Sequence, residues 1–95
     1  MEKRLGVVSI IVERPTAPIE GVNDLLMQFG DEIIGRFGLP YAQRGVNIIT
    51  LVVDTSVERV SALTGKLGKL PGVQVRSLMS RTAAPGDPLA PPPDH

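Results

Sequence analysis

Catalysis or metal binding needs side chains that hold a proton, an electron pair or a cation at defined spacing, and this sequence offers few. The single histidine, His95, ends the chain in a proline-rich stretch, so no pair of imidazole ligands and no histidine base can form in the part able to fold. Cysteine is absent, which excludes disulfides, a thiolate nucleophile and an iron–sulfur cluster held by this chain's own thiolates. Carboxylates stand singly at Glu13, Glu20, Asp24, Asp54 and Glu58 and as neighbours at Asp31-Glu32. Adjacent loop acids read as solvated charge, because no spacing sets two oxygens on one face for acid–base work or a hard cation. Thr64-Gly65-Lys66 has the ending of a phosphate loop, but the earlier glycine is missing and Leu67 stands where the magnesium-binding hydroxyl belongs. The expectation is a protein that is not an enzyme, with no cofactor and no metal.

What remains is chemistry for holding a small anion. Arg36, Tyr41, Arg44 and Lys66 are the natural contacts for a small acidic effector. Asn23 lies among the apolar positions of a helix and Arg36 inside a strand, and for each a structural hydrogen bond competes with a ligand contact. Gly65 and Gly68 sit one turn apart inside a helical pattern, where glycine costs about 1 kcal/mol relative to alanine. Close packing of that helix face would explain them, and so would a ligand approaching the exposed backbone.

The elements that must position these residues follow from periodicity. Leu5 to Val12 and Val46 to Val53 are apolar on both alternating faces, the pattern of strands in the middle of a covered sheet. Glu32 to Leu39, short and carrying glycines and Arg36, reads as an edge strand that stops before Pro40; Val73 to Met79 alternates apolar with polar and reads as the other edge. Between them lie two amphipathic helices. One is opened by Thr16 or Pro18, marked by Ile19, Val22, Leu25, Leu26 and Phe29, and capped by Gly30. The other has N-cap candidates at Asp54-Thr55-Ser56, carries Val57, Val60, Leu63, Leu67 and Leu70, and ends at Leu70-Pro71-Gly72. Arg44-Gly45 makes the turn between the two middle strands.

Strand, helix, strand, strand, helix, strand is the order of the ferredoxin-like α+β sandwich, in which the first and third strands are central in a four-stranded antiparallel sheet with both helices on one face. Two helices cover one face only, yet both central strands are apolar on two. A homo-oligomer, dimer or tetramer, packed sheet to sheet is therefore expected. Ten basic residues balance ten acidic ones, so the charge that draws proteins to nucleic acid is missing, and no apolar run is long enough to span a bilayer. Leu5 to Val12 faintly resembles a signal peptide but meets Glu13-Arg14-Pro15 with no cleavage site, and a cytoplasmic location is expected. Residues 1–80 are expected to form the domain; residues 81–95, with five prolines in fifteen positions, read as a disordered, polyproline-like tail.

Several short runs carry a resemblance. Glu2-Lys3-Arg4, Val22-Asn23 with Leu25-Leu26, Ile34, Arg36-Phe37-Gly38-Leu39-Pro40-Tyr41, Ala62-Leu63-Thr64-Gly65-Lys66-Leu67-Gly68 and Leu70-Pro71-Gly72-Val73 together resemble the iron-only hydrogenase system regulators. The resemblance implies an ACT-like ferredoxin fold, similar to the effector domain of nickel-responsive repressors, and a role in regulating transcription or maturation connected with that hydrogenase. The metal-binding histidines of those repressors have no counterpart here, and no helix-turn-helix or ribbon-helix-helix segment accompanies the domain. The leading expectation is a ligand-sensing regulatory module; the competing one is an adaptor that binds a partner protein through its sheet face or an edge strand.

Overall fold

The computed structural model describes residues 2–13 and 19–81. The expected helix-opening residues Thr16 and Pro18, the proline-rich segment from residue 82 onward and His95 lie outside the described residues. Within them the order is β1 (Arg4–Glu13), α1 (Ile19–Gln28), a 3-10 turn (Gly30–Glu32), β2 (Ile33–Tyr41), a second 3-10 turn (Ala42–Arg44), β3 (Val46–Thr55), α2 (Val57–Gly68) and β4 (Val73–Met79). The four strands form one antiparallel sheet in the order β2-β3-β1-β4. This is the ferredoxin-like topology, with the two strands that read as apolar on both faces at the centre.

The core lies between the sheet and the two helices. Alternation along β1 turns Val8, Ile10 and Val12 inward, and β3 answers with Ile49, Leu51 and Val53; Val22, Leu26 and Phe29 of the first helical segment and Val60, Leu63 and Leu67 of α2 close over them. Gly6 leaves the room that the Met79 thioether fills, since a Cβ there would also stand 3.2 Å from the Leu78 carbonyl oxygen. Ser56 caps α2, its hydroxyl oxygen accepting from the Arg59 backbone N–H at 3.2 Å. Gly45 and Gly72 are left-handed, at φ 65° and 74°, and close the β2–β3 turn and the α2–β4 turn where only glycine is unstrained.

Three local expectations are corrected. Gly30 is not a left-handed cap: α1 ends at Gln28 and Gly30 starts a 3-10 turn with negative φ. β2 does not stop before Pro40 but runs through it to Tyr41, with Pro40 paired to Asn47, a position an edge strand tolerates because one side of its backbone has no neighbour. Val57, expected on the buried side of α2, is exposed, in the first turn where the helix emerges from β3.

The second face of the sheet is open. Pairing brings Phe37, Thr50, Ser9 and Arg76 into one row across it, with Leu39, Ile48, Ile11 and Gln74 on one side and Gly35, Val52, Val7 and Leu78 on the other. Phe37, Leu39, Ile11, Val52 and Leu78 are all exposed there.

Candidate functional site

β2 contains an irregularity that sets the site. Ile33 pairs with Val53 and Gly35 with Val52, so Ile34 is the extra residue of a bulge. Beyond it the alternation turns Arg36, Gly38 and Pro40 toward the helices and Phe37, Leu39 and Tyr41 toward the open face. Arg36 thereby reaches α1, and its Nη2 donates to Asn23 Oδ1 at 3.2 Å.

Around this pair lies a groove of about 270 Å³, walled by Ile19, Pro40, Ile48 and Ile49 and carrying Arg36, Asn23 and Asn47 as its polar groups. Gly38 leaves the groove open, since a Cβ there would meet nothing within 4 Å. Asn47 Oδ1 is buried with no hydrogen-bond partner, an arrangement that costs on the order of 1–3 kcal/mol and is relieved by any donor that reaches it. The groove thus offers guanidinium donors for an anion, an acceptor without a donor, and apolar walls. Such groups are of the kind that can hold a small acidic molecule; they include no nucleophile and no general base.

The other predicted residues lie elsewhere. Tyr41 and Arg44 stand at the far end of β2 and in the following 3-10 turn, in an open-face hollow of about 420 Å³ shared with Ile11, Val46 and Glu13. Glu13, whose carboxylate accepts from Gln74 Nε2 at 3.1 Å, puts a negative charge into that hollow, which suits an anion poorly. Gly65, Lys66 and Gly68 lie in the last turn of α2, apart from the lining of either hollow. The structure therefore brings Asn23 and Arg36 together and separates them from the rest.

Close packing does not require either helical glycine. A Cβ on Gly65 would meet nothing within 4 Å, and one on Gly68 would touch Val75 Cγ1 at 3.8 Å, an ordinary contact. Gly65→Ala is accordingly expected to raise stability by about 0.5–1 kcal/mol, read as a higher urea midpoint with an unchanged slope; a lower midpoint would show that the position has a packing role.

Sequence reasoning missed two residues. Asn47 was a detectable signal, the one amide in the alternate set Asn47, Ile49, Leu51, Val53 that faces the core. Arg59 was not detectable: it pairs with Glu32, Nε to Oε1 at 2.9 Å and Nη2 to Oε1 at 2.8 Å, and its guanidinium lies 4.3 Å over the Phe29 ring. Glu32 is thus not the solvated loop acid expected of it. Among the described residues no group of three or more His, Cys, Asp or Glu side chains gathers as a metal site, and no helix is long and apolar enough to cross a membrane.

Comparison with known proteins adds to this geometry. The family model of TM1266-like proteins, described as a proposed iron-only hydrogenase system regulator, matches residues 4–77. Among solved structures, that of the uncharacterized protein TM1266 from Thermotoga maritima superposes with a TM-score of 0.79 at 37% sequence identity, covering 82% of this chain and 98% of that one. No match to a curated protein is found. Both the span of the family match and the identity to a protein of the same fold lead to one assignment: the chain belongs to the TM1266-like family, whose proposed role is regulation of the iron-only hydrogenase system.

Proposed function

We propose that this protein is a non-catalytic, oligomeric regulatory module of the iron-only hydrogenase system that senses a small acidic effector. The observation that carries the reading is the groove between α1 and β2, where the Arg36 guanidinium faces an apolar hollow beside the unpartnered Asn47 Oδ1. An effector with an anionic end and a hydrogen-bond donor would satisfy both at once. The fold is of the kind found in ACT domains, in which binding near a subunit boundary shifts an assembly between states; the effector's leverage is then its difference in affinity for the two. The family's proposed role supports the link to the iron-only hydrogenase system, and the module would act there on transcription or maturation of the hydrogenase. Direct DNA contact is left out of the reading because the chain carries no net charge with which to release counterions.

A thermal-shift panel of small carboxylic acids tests it. At least one acid is expected to raise the unfolding midpoint of the wild-type protein and of Lys66→Ala. Arg36→Ala should weaken that acid by roughly tenfold or more, because a hydrogen bond to a charged group contributes about 1.5–3 kcal/mol. A shift that survives Arg36→Ala unchanged would remove the groove from the mechanism. Exposed Phe37 and Leu39 on edge strand β2 support a second reading, an adaptor that binds a partner protein; a panel without any shift, together with specific protein capture that Arg36→Ala leaves intact, would favour it.

A further inference from the structure

Laid against a second copy of itself, the open face of the sheet is complementary in one particular orientation. Its apolar rows flank a central polar pair that is partly satisfied internally: the Ser9 and Thr50 hydroxyls lie 3.4 Å apart within hydrogen-bond reach. One hydroxyl donates to the other, so drying the middle of the face leaves a single hydroxyl hydrogen in need of an acceptor rather than two. Four strands of 10, 9, 10 and 7 residues, about 4.8 Å apart, give a face on the order of 600 Å², close to the ~800 Å² per partner of a stable interface. The chain has no net charge, so two copies approach without long-range repulsion.

We infer that two copies pack face to face about a two-fold axis running along the strands, which lays β2 of each over β4 of the other; this deepens the oligomeric part of the function proposed above and rests on it. The rotation keeps each row over its own row and exchanges its two ends. In the central row Phe37, 60% exposed, comes over the partner copy's Arg76. The Arg76 side chain has no ion pair and no hydrogen bond within its own chain among the described residues, and a guanidinium over an aromatic face is favourable. In the next row the most exposed large apolar side chain of the face, Leu78 at 73% exposure, comes over Gly35, the one position of the row without a side chain. Ile48 meets Ile11 and Val52 meets Val7 at the centre, in the aligned geometry usual for stacked sheets. A two-fold axis across the strands would instead set Arg76 on Arg76 and Phe37 on Phe37, which the desolvation of like charges disfavours.

Sedimentation equilibrium of the full chain and its variants tests the pairing, because the two axes predict opposite responses to charge at position 37. With the axis along the strands, Phe37→Glu faces the partner's Arg76 and stays associated within about tenfold of wild type, whereas Phe37→Arg faces a like charge and loses on the order of 100-fold in association. Adding Arg76→Glu to Phe37→Arg restores it, and that rescue also shows that the single variant was folded. Leu78→Glu, monomeric under this arrangement, checks that the face is used at all. Equal loss in Phe37→Glu and Phe37→Arg would overturn the axis, and an associated Leu78→Glu would overturn the face. A monomeric wild type would overturn the pairing and the oligomeric reading together, leaving the face to residues 82–95 or another protein, while the effector titration with Arg36→Ala would still decide the groove separately.

Discussion

Leu51→Ala should bring the domain close to unfolding at physiological temperature. Leu51 is fully buried on central strand β3, opposite Val8 of β1, in the core cluster that the two helices close. Truncating a leucine at such a place loses the transfer free energy of three heavy atoms and leaves a cavity, for a cost of about 2–5 kcal/mol. A domain of this size has a total stability of roughly 4–12 kcal/mol. The midpoint should fall by on the order of 15 °C, at 4–8 °C for each kcal/mol. The loss should be severe because β3 is fixed by pairing on both sides, to β1 and to β2, and cannot slide inward to fill the hole as a helix can. Met27→Ala, on the outer side of α1 and 78% exposed, is the control and should stay within about 0.5 kcal/mol. Equal midpoints for the two variants in thermal denaturation followed by circular dichroism would mean that the core is not where the alternation of β1 and β3 places it.

That alternation is also the reason the fold was legible. Leu5 to Val12 and Val46 to Val53 had to be central because they are apolar on both faces, and Val73 to Met79 had to lie at an edge because it is not; the sheet order β2-β3-β1-β4 follows. The polar oddities in helix and strand, Asn23 and Arg36, were visible as such, and strand parity bore on their company: Tyr41 is an odd number of residues beyond Arg36 and so turns to the opposite face. What could not be read was anything set by two segments at once. The bulge at Ile34 depends on how β2 meets β3, and Pro40 is admissible in a strand only once its edge position is known. The Glu32–Arg59 pair joins residues 27 apart, and no local pattern announces it. Gly30 failed for a different reason, since a glycine after a helix permits a left-handed cap without requiring one.

The Glu32–Arg59 pair yields the second large effect. Arg59→Ala removes both N–H contacts to Glu32 Oε1 and the guanidinium over Phe29, while Glu32 stays tucked against the 3-10 turn with its other oxygen, Oε2, buried and without a partner. A fully buried pair broken this way costs about 3–5 kcal/mol. Here the two side chains keep 42% and 23% of their exposure, and screening by water reduces the expected loss to about 1–2 kcal/mol. Glu32→Gln should cost less, because a neutral amide can still accept from Arg59 and leaves no carboxylate to desolvate. The double variant should cost less than the sum of the singles, with a coupling of at least 0.5 kcal/mol. Urea denaturation of the four proteins in the cycle supplies the number. Strict additivity would mean that the pair exists without energetic consequence, and that the 3-10 turn after α1 is held to α2 by the packing of Phe29 alone.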